Sequence, residues 1–336
     1  MQPNRPYEAG FAGVGLTYAR LPLELDPAGY AGADVVILGA PFDEGVSYRP
    51  GTRFGPRAIR QAEDVGAPAE RPNMELGVDP YSVLKVIDGG DVDVRPANLV
   101  ASHAALQTGV AQVLAAGATA LVLGGDHSLS MPVLRAIADQ HGSDGYSVIH
   151  FDTHADTGLE MSEAPHGIPF SSAVQDGYLR GGNMIQIGLR GNWPYPYEFD
   201  WMAEQRMRSY EMHEIVRRGL TACLDEAFAI ATDGCDGVFV SVDIDVLDPA
   251  FAPGTGTAEP GGLMTRELLY AARTIASEVD LCAMDLVEVS PPYDSADVTA
   301  FLANRVVLEM LSGIAYRRGG GTWEGIPPTL LDGRAG

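Results

Sequence analysis

Runs of apolar, often β-branched residues recur along the chain from about residue 34. They are "DVVILGAPF" (34–42), "VLKVIDGGDV" (83–92), "TALVLGGDHS" (119–128), "YSVIHFDTHAD" (146–156), "MIQIGLRG" (184–191), "RSYEMHE" (208–214), "GVFVSVDIDVLD" (237–248) and "LCAMDLVEVS" (281–290). Most are near-continuously apolar rather than alternating, the pattern of strands covered on both faces. Between them lie helical patterns. "NLVASHAALQTGVAQVLAAG" closes on Gly117 and "SLSMPVLRAIADQHG" on Gly142, both suited to C-caps; "TRELLYAARTIASEV" opens at Thr265 with Glu267 in its first turn. Strand–helix alternation predicts parallel strands joined by crossover helices. The expected fold is α/β: a single-domain three-layer α/β/α unit with a mostly parallel sheet of about eight strands. Residues 1–33 read as an N-terminal extension, 34–316 as the domain, and the Gly/Pro-rich 317–336 as an irregular tail.

Several runs end in polar groups that burial would penalise. "LVLGGDHS" brings out His127 after Gly124 and Gly125; "IHFDTHAD" delivers Asp152, His154 and Asp156; "VSVDIDVLDP" delivers Asp243 and Asp245; "MDLVEVSPP" delivers Glu288. Alternate residues of an extended chain share a face, and in open α/β sheets ligands bind beyond the carboxyl ends of strands. Carboxylates gathered at one sheet edge repel, and unpaired they cost several kcal/mol each or take up protons. The pattern therefore points to bound cations. His127, Asp152, His154, Asp156, Asp243 and Asp245 suit two divalent ions: His127 and Asp156 on one, His154 and Asp245 on the other, Asp152 and Asp243 bridging. A carboxylate-rich, thiol-free set favours Mn²⁺, with Ni²⁺ or Zn²⁺ as alternatives. Two close ions sharing a water lower its pKa, the signature of a hydrolytic site. Asp126 is expected to orient the loop and Ser241 to support a ligand. His150 is expected to be a hydrogen-bonded core residue, and His103, His141 and His213 to lie on the surface.

Composition narrows the partners. The formal charge is −23, with 45 acidic against 22 basic residues, which argues against nucleic acid and suits a small cationic substrate. Cys223, Cys235 and Cys282 show no paired spacing, as expected of free thiols in a cytoplasmic protein. Neither a secretory signal nor a membrane span is expected.

"GGDHS", "FDTHAD" and "SVDIDVLDPAFAPGTGTAEPGG" together resemble the three signatures of the ureohydrolases, which include arginases and agmatinases. The resemblance runs from about residue 11 to 316 and takes in "APFDEGVSYRPGTRFGPRAIR" and "DLVEVSPPYD". It implies a dinuclear manganese site, hydrolysis of a guanidino group to urea and an amine, and a homotrimer or homohexamer. By resemblance Glu288 receives the guanidinium, His166 in "APHGIPF" relays protons, and Asp156 passes a proton to the leaving amine. Arginases carry an Asn- and Ser-bearing loop where this chain has "TGLEMSEAPHG", so agmatinases, guanidinobutyrases and proclavaminate amidinohydrolases are the nearer likeness. Agmatine is the first expectation, with Glu160 and Glu163 near its distal ammonium. A guanidino acid such as 4-guanidinobutyrate or 3-guanidinopropionate would look to Arg53 or Arg190. Tyr48 and Trp193 are candidates to narrow the pocket for guanidine or a biguanide. An inactive assembly subunit would have lost ligands, and a one-zinc deacetylase would lack the GGDH histidine.

Overall fold

The structure, a computed structural model, describes residues 16–62, 72–160, 165–192 and 194–319. Its strands are β1 (Val35–Ala40), β2 (Val86–Asp91), β3 (Thr119–Gly124), β4 (Tyr146–Phe151), β5 (Met184–Leu189), β6 (Arg208–Glu211), β7 (Gly237–Asp243) and β8 (Leu281–Val287). They form one sheet in the order β2-β1-β3-β8-β7-β4-β5-β6, and every neighbouring pair is parallel.

Burial explains the continuous apolar runs. Every residue of β1, β3, β4, β5 and β7 is buried. Successive side chains go to opposite faces: Val35 and Ile37 enter one core with the helices Thr265–Glu278 and Val298–Gly319. Val36 and Leu38 enter the other with Leu99–Ala115 and Ser130–His141. Asn98 caps the first of these by accepting the Ala101 N–H. Gly117 and Gly142 follow helix ends with φ of 77° each.

One expectation changes. Only Arg208–Glu211 of "RSYEMHE" is strand, because Met212 opens the helix Met212–Arg218; Met212 and Ile215, three apart, both turn toward the core. Within the N-terminal extension, residues 16–33 pack on the sheet: Tyr18, Leu21 and Tyr30 are buried, and Leu23 bridges Asp88 of β2. The helix Val298–Gly319 has the length and apolar composition of a membrane span, yet most of it is buried inside the protein.

β3 and β4 are consecutive in sequence but separated in the sheet by β8 and β7. The four central strands therefore end together around a crevice, the place where such sheets bind ligands.

Candidate metal centre and its cavity

Each of the four central strands delivers part of the site. His127 follows β3 through the Gly124–Gly125 turn, where a Cβ on Gly125 would lie 2.2 Å from the Phe42 carbonyl oxygen. Only glycine lets the backbone pass. Asp126 holds this turn, accepting the N–H groups of Gly45 at 2.8 Å and Ser128 at 3.0 Å. Asp152, His154 and Asp156 leave the end of β4; Asp243 closes β7, and its carboxylate accepts the Asp245 N–H at 2.8 Å. Glu288 follows β8. Asp156 and Glu288 have φ of 51° and 63°. That left-handed backbone costs non-glycine residues on the order of 1–3 kcal/mol and clusters at functional sites.

The six expected ligands converge. His127 Nδ1 lies 2.8 Å from Asp156, 3.1 Å from Asp152 and 3.3 Å from Asp243. His154 Nδ1 lies 3.2 Å from Asp245 and 3.4 Å from Asp152. His127, Asp152 and Asp245 are buried, as is nearly all of Asp243. Burial first, then Asp245 and Asp152, pushes the Asp243 carboxyl well up; burial, then Asp152, raises Asp245 to about 6. Burial opposes charge on His127 and His154, but the carboxylates around them outweigh it and raise both. Without cations, the folded cluster must hold protons. His127 Nδ1 is also buried and faces these carboxylates without an aligned hydrogen bond, as a ligand nitrogen would. The donor set and this orphaned atom fit a pair of divalent ions.

Beside the cluster, Glu288 Oε1 accepts the His127 N–H at 2.9 Å and faces His166 Nδ1 at 3.0 Å. Glu288 Oε2 is buried without a partner. The Ser47 N–H donates to His166 Nε2 at 3.0 Å, so the neutral ring carries its proton on Nδ1 and donates it to Glu288. Burial lowers the His166 pKa, but the bond to Glu288 and its charge outweigh this and raise it. Ser47 had not been singled out in the sequence; a loop serine carries no pattern of its own.

The arginase family profile matches residues 33–313. The chain belongs to the arginase family. Proclavaminate amidinohydrolase of Streptomyces clavuligerus is 38% identical over 88% of this chain and 91% of its own. Its solved structure superposes with a TM-score of 0.82 at 36% identity, covering 91% of this chain and 98% of that one. Guanidinobutyrase of Pseudomonas aeruginosa is 39% identical (90% and 92% covered), and mitochondrial agmatinase of Gallus gallus 38% (92% and 88%). As an arginase-family hydrolase the chain is an amidinohydrolase, and its His/Asp cluster is compatible with the family's dinuclear metal site.

A cavity of about 320 Å³ opens beside this arginase-family cluster, lined by Ser47, His154, Asp156, His166, Glu198 and Thr257 among others. Several expected substrate contacts are elsewhere. Arg190 is taken up by backbone: its guanidinium donates to the carbonyls of Asp245, Val246, Leu247 and Glu259. Arg53 pairs with Asp43 and Glu44. Tyr48 is 67% exposed with its ring against Arg49, so Ser47 rather than Tyr48 lines the cavity. Glu160 is exposed and accepts from the Tyr197 hydroxyl at 3.4 Å. Glu163 and Trp193 lie outside the described residues. His103 is half-buried rather than exposed: its ring contacts Ser128 Oγ at 2.9 Å, and burial, then Arg135, lowers its pKa to about 4. His150 is buried as expected but reaches the site, its Nε2 2.9 Å from Asp152. Its spacing of two from Asp152 was the available signal.

Proposed function

We propose that the protein hydrolyses agmatine to urea and putrescine with a pair of Mn²⁺ ions. The reading rests on one observation: a largely buried cluster of two histidines and four carboxylates opens into a cavity that also holds His166 and is flanked by Glu288. His127, Asp152, Asp156 and Asp243 would hold one ion, and Asp152, His154, Asp243 and Asp245 the other; hard oxygen ligands with imidazole suit Mn²⁺. When bound, such a pair supplies a water made nucleophilic near neutral pH. Glu288 holds the guanidinium through its unpartnered Oε2, and the fixed orientation replaces a chance encounter. Asp156 takes the proton of the attacking water and carries it to the leaving amine. His166, donating from Nδ1 and anchored at Nε2 by Ser47, exchanges protons with solvent.

The charge of the wall supports an amine-tailed substrate. No Arg or Lys is among the described residues lining the cavity, while Glu198 is, and the chain carries −23 overall. A guanidino acid is the second reading: Arg49, two residues beyond Ser47, is exposed with its guanidinium 5.2 Å from the Tyr48 ring and 5.1 Å from Tyr293. Urea release from agmatine, 4-guanidinobutyrate, 3-guanidinopropionate, arginine and guanidine, each with Mn²⁺ and with Ni²⁺, separates the two. Highest kcat/KM with agmatine is expected. Preference for a carboxylate-tailed substrate selects the second reading, and no urea from any of them defeats both. Assembly as a trimer or hexamer belongs to the same proposal.

A further inference from the structure

A row of polar side chains crosses the sheet one layer beneath the candidate ligands, and the reaction above leaves it unexplained. In the pairing register Asp285 of β8 lies opposite Ser241 of β7, Ser241 opposite His150 of β4, His150 opposite Gln186 of β5, and Gln186 opposite Ser209 of β6. The row sits two residues before Asp243 on β7 and two before Asp152 on the β4 side, on the face those carboxylates share. Asp285, Ser241, His150 and Gln186 are wholly buried. Polar groups in the middle of a doubly covered sheet are costly unless paired, and all of these are paired except one oxygen of Asp285.

The ends of the row set the proton directions. The Ala155 carbonyl can only accept, so Gln186 presents its NH₂ there at 2.7 Å. The same nitrogen faces His150 Nδ1 at 3.3 Å, and Gln186 Oε1 accepts from the Ser209 hydroxyl at 3.0 Å. His150 Nδ1 is therefore an acceptor, and its Nε2–H donates to Asp152 at 2.9 Å. At the other end, Asp285 accepts the Ser130 hydroxyl at 2.6 Å; its other oxygen is buried without a hydrogen-bond partner, on the residue opposite Ser241 in the register. A Ser241 hydroxyl turned to that open acceptor keeps its own oxygen for His127 Nε2–H, 2.8 Å away. That leaves the lone pair on His127 Nδ1, the atom facing three carboxylates.

We propose that Asp285 and Gln186 are positioning residues: acting through Ser241 and His150, they fix the His127 tautomer and the Asp152 orientation that the metal pair requires. The inference rests on the metal-centre reading. Without an acceptor at 285 the Ser241 hydroxyl is free to donate to His127 Nε2. The imidazole then carries its proton on Nδ1 and cannot ligate there. Outer partners of this kind commonly change metal affinity about 10- to 100-fold.

The test is Mn²⁺ affinity by chelator competition on the full chain, beside the melting temperature of each metal-free protein. Wild type, Asp285→Leu and Gln186→Leu are compared, with Asp285→Asn as the shape-preserving second variant. The expected result is two ions on wild type, affinity reduced about 10- to 100-fold in Asp285→Leu and Gln186→Leu, and a smaller loss in Asp285→Asn, which keeps one acceptor oxygen. Because Asp285→Leu removes a buried carboxyl group, its metal-free melting temperature is expected to hold or rise while affinity falls. Wild-type affinity in Asp285→Leu and Gln186→Leu overturns the inference, as does a fall in affinity that only tracks a fall in melting temperature, or Asp285→Asn binding no better than Asp285→Leu. Failure of wild type to hold two ions is a separate result, and it removes the metal-centre reading together with the inference.

Discussion

Replacing Glu288 with Gln takes one negative charge from the guanidinium seat and leaves its volume unchanged. Oε1 can still accept the His127 N–H and the His166 Nδ1–H, at 2.9 and 3.0 Å in the native protein. The change falls on Oε2, buried and without a partner before substrate arrives. There a carboxylate oxygen becomes an amide, which repels rather than attracts a guanidinium. Truncating one partner of a buried charge pair costs about 2–5 kcal/mol, and a retained neutral hydrogen bond recovers about 1 kcal/mol. A net loss of about 1–4 kcal/mol corresponds to roughly 5- to 700-fold in kcat/KM. The assay is urea release across a range of agmatine concentrations, with bound Mn²⁺ quantified in the same preparations. Metal content is expected to be unchanged, since Glu288 is not among the ligands. A variant with full metal and kcat/KM within about threefold of wild type, on the scale of that predicted loss, would refute the assignment of Glu288 as the cation's seat.

The metal-free protein is expected to lose stability as pH rises from about 5 to 8. Asp243, Asp245 (about 6) and Asp126 (about 7, from burial and then Glu288) have raised pKa values, as do His127 and His154. All five hold protons more tightly folded than unfolded, so their contribution is present at low pH and lost as pH climbs. Asp152 is shifted the other way, and its contribution is lost only in more acidic solution. Thermal melts with and without Mn²⁺ should diverge with rising pH; a constant gap contradicts the charge picture. Gly125→Ala, which drives a Cβ to 2.2 Å from the Phe42 carbonyl oxygen, should destabilise by about 2 kcal/mol or more and displace His127, read as lower denaturation midpoint and lost metal. Arg190→Lys should lower stability by roughly 2 kcal/mol, because carbonyls now bonded lose their donors. It should leave the agmatine-to-guanidinobutyrate activity ratio unchanged; a shifted ratio would return Arg190 to the substrate.

The strands were legible because covering both faces leaves an unbroken apolar run, and β6 was the exception because only part of its polar run pairs. The ligands were legible because alternation places Asp152, His154 and Asp156, or Asp243 and Asp245, on a common face, and because nothing else tolerates so many acids at one edge. Side chains on loops were not. Arg190 follows a strand that points at the site, yet the carbonyls of residues 245–247 and 259 capture its guanidinium, and no local pattern announces a backbone from so far along the chain. His103 shows the converse: its helix looks amphipathic enough to expose it, but Ser128 comes across from the glycine turn to meet it. The polar row from Asp285 to Ser209 was visible only as isolated interruptions in five strands. Their alignment is a property of register, which single segments do not carry.

Metal stoichiometry bears most directly on the centre itself. Protein stripped with chelator, reloaded with Mn²⁺, desalted and analysed by elemental mass spectrometry should carry two ions per chain and regain urea release in step with loading. A fully folded protein that retains less than one ion, or that releases urea equally well when stripped, would contradict the dinuclear site.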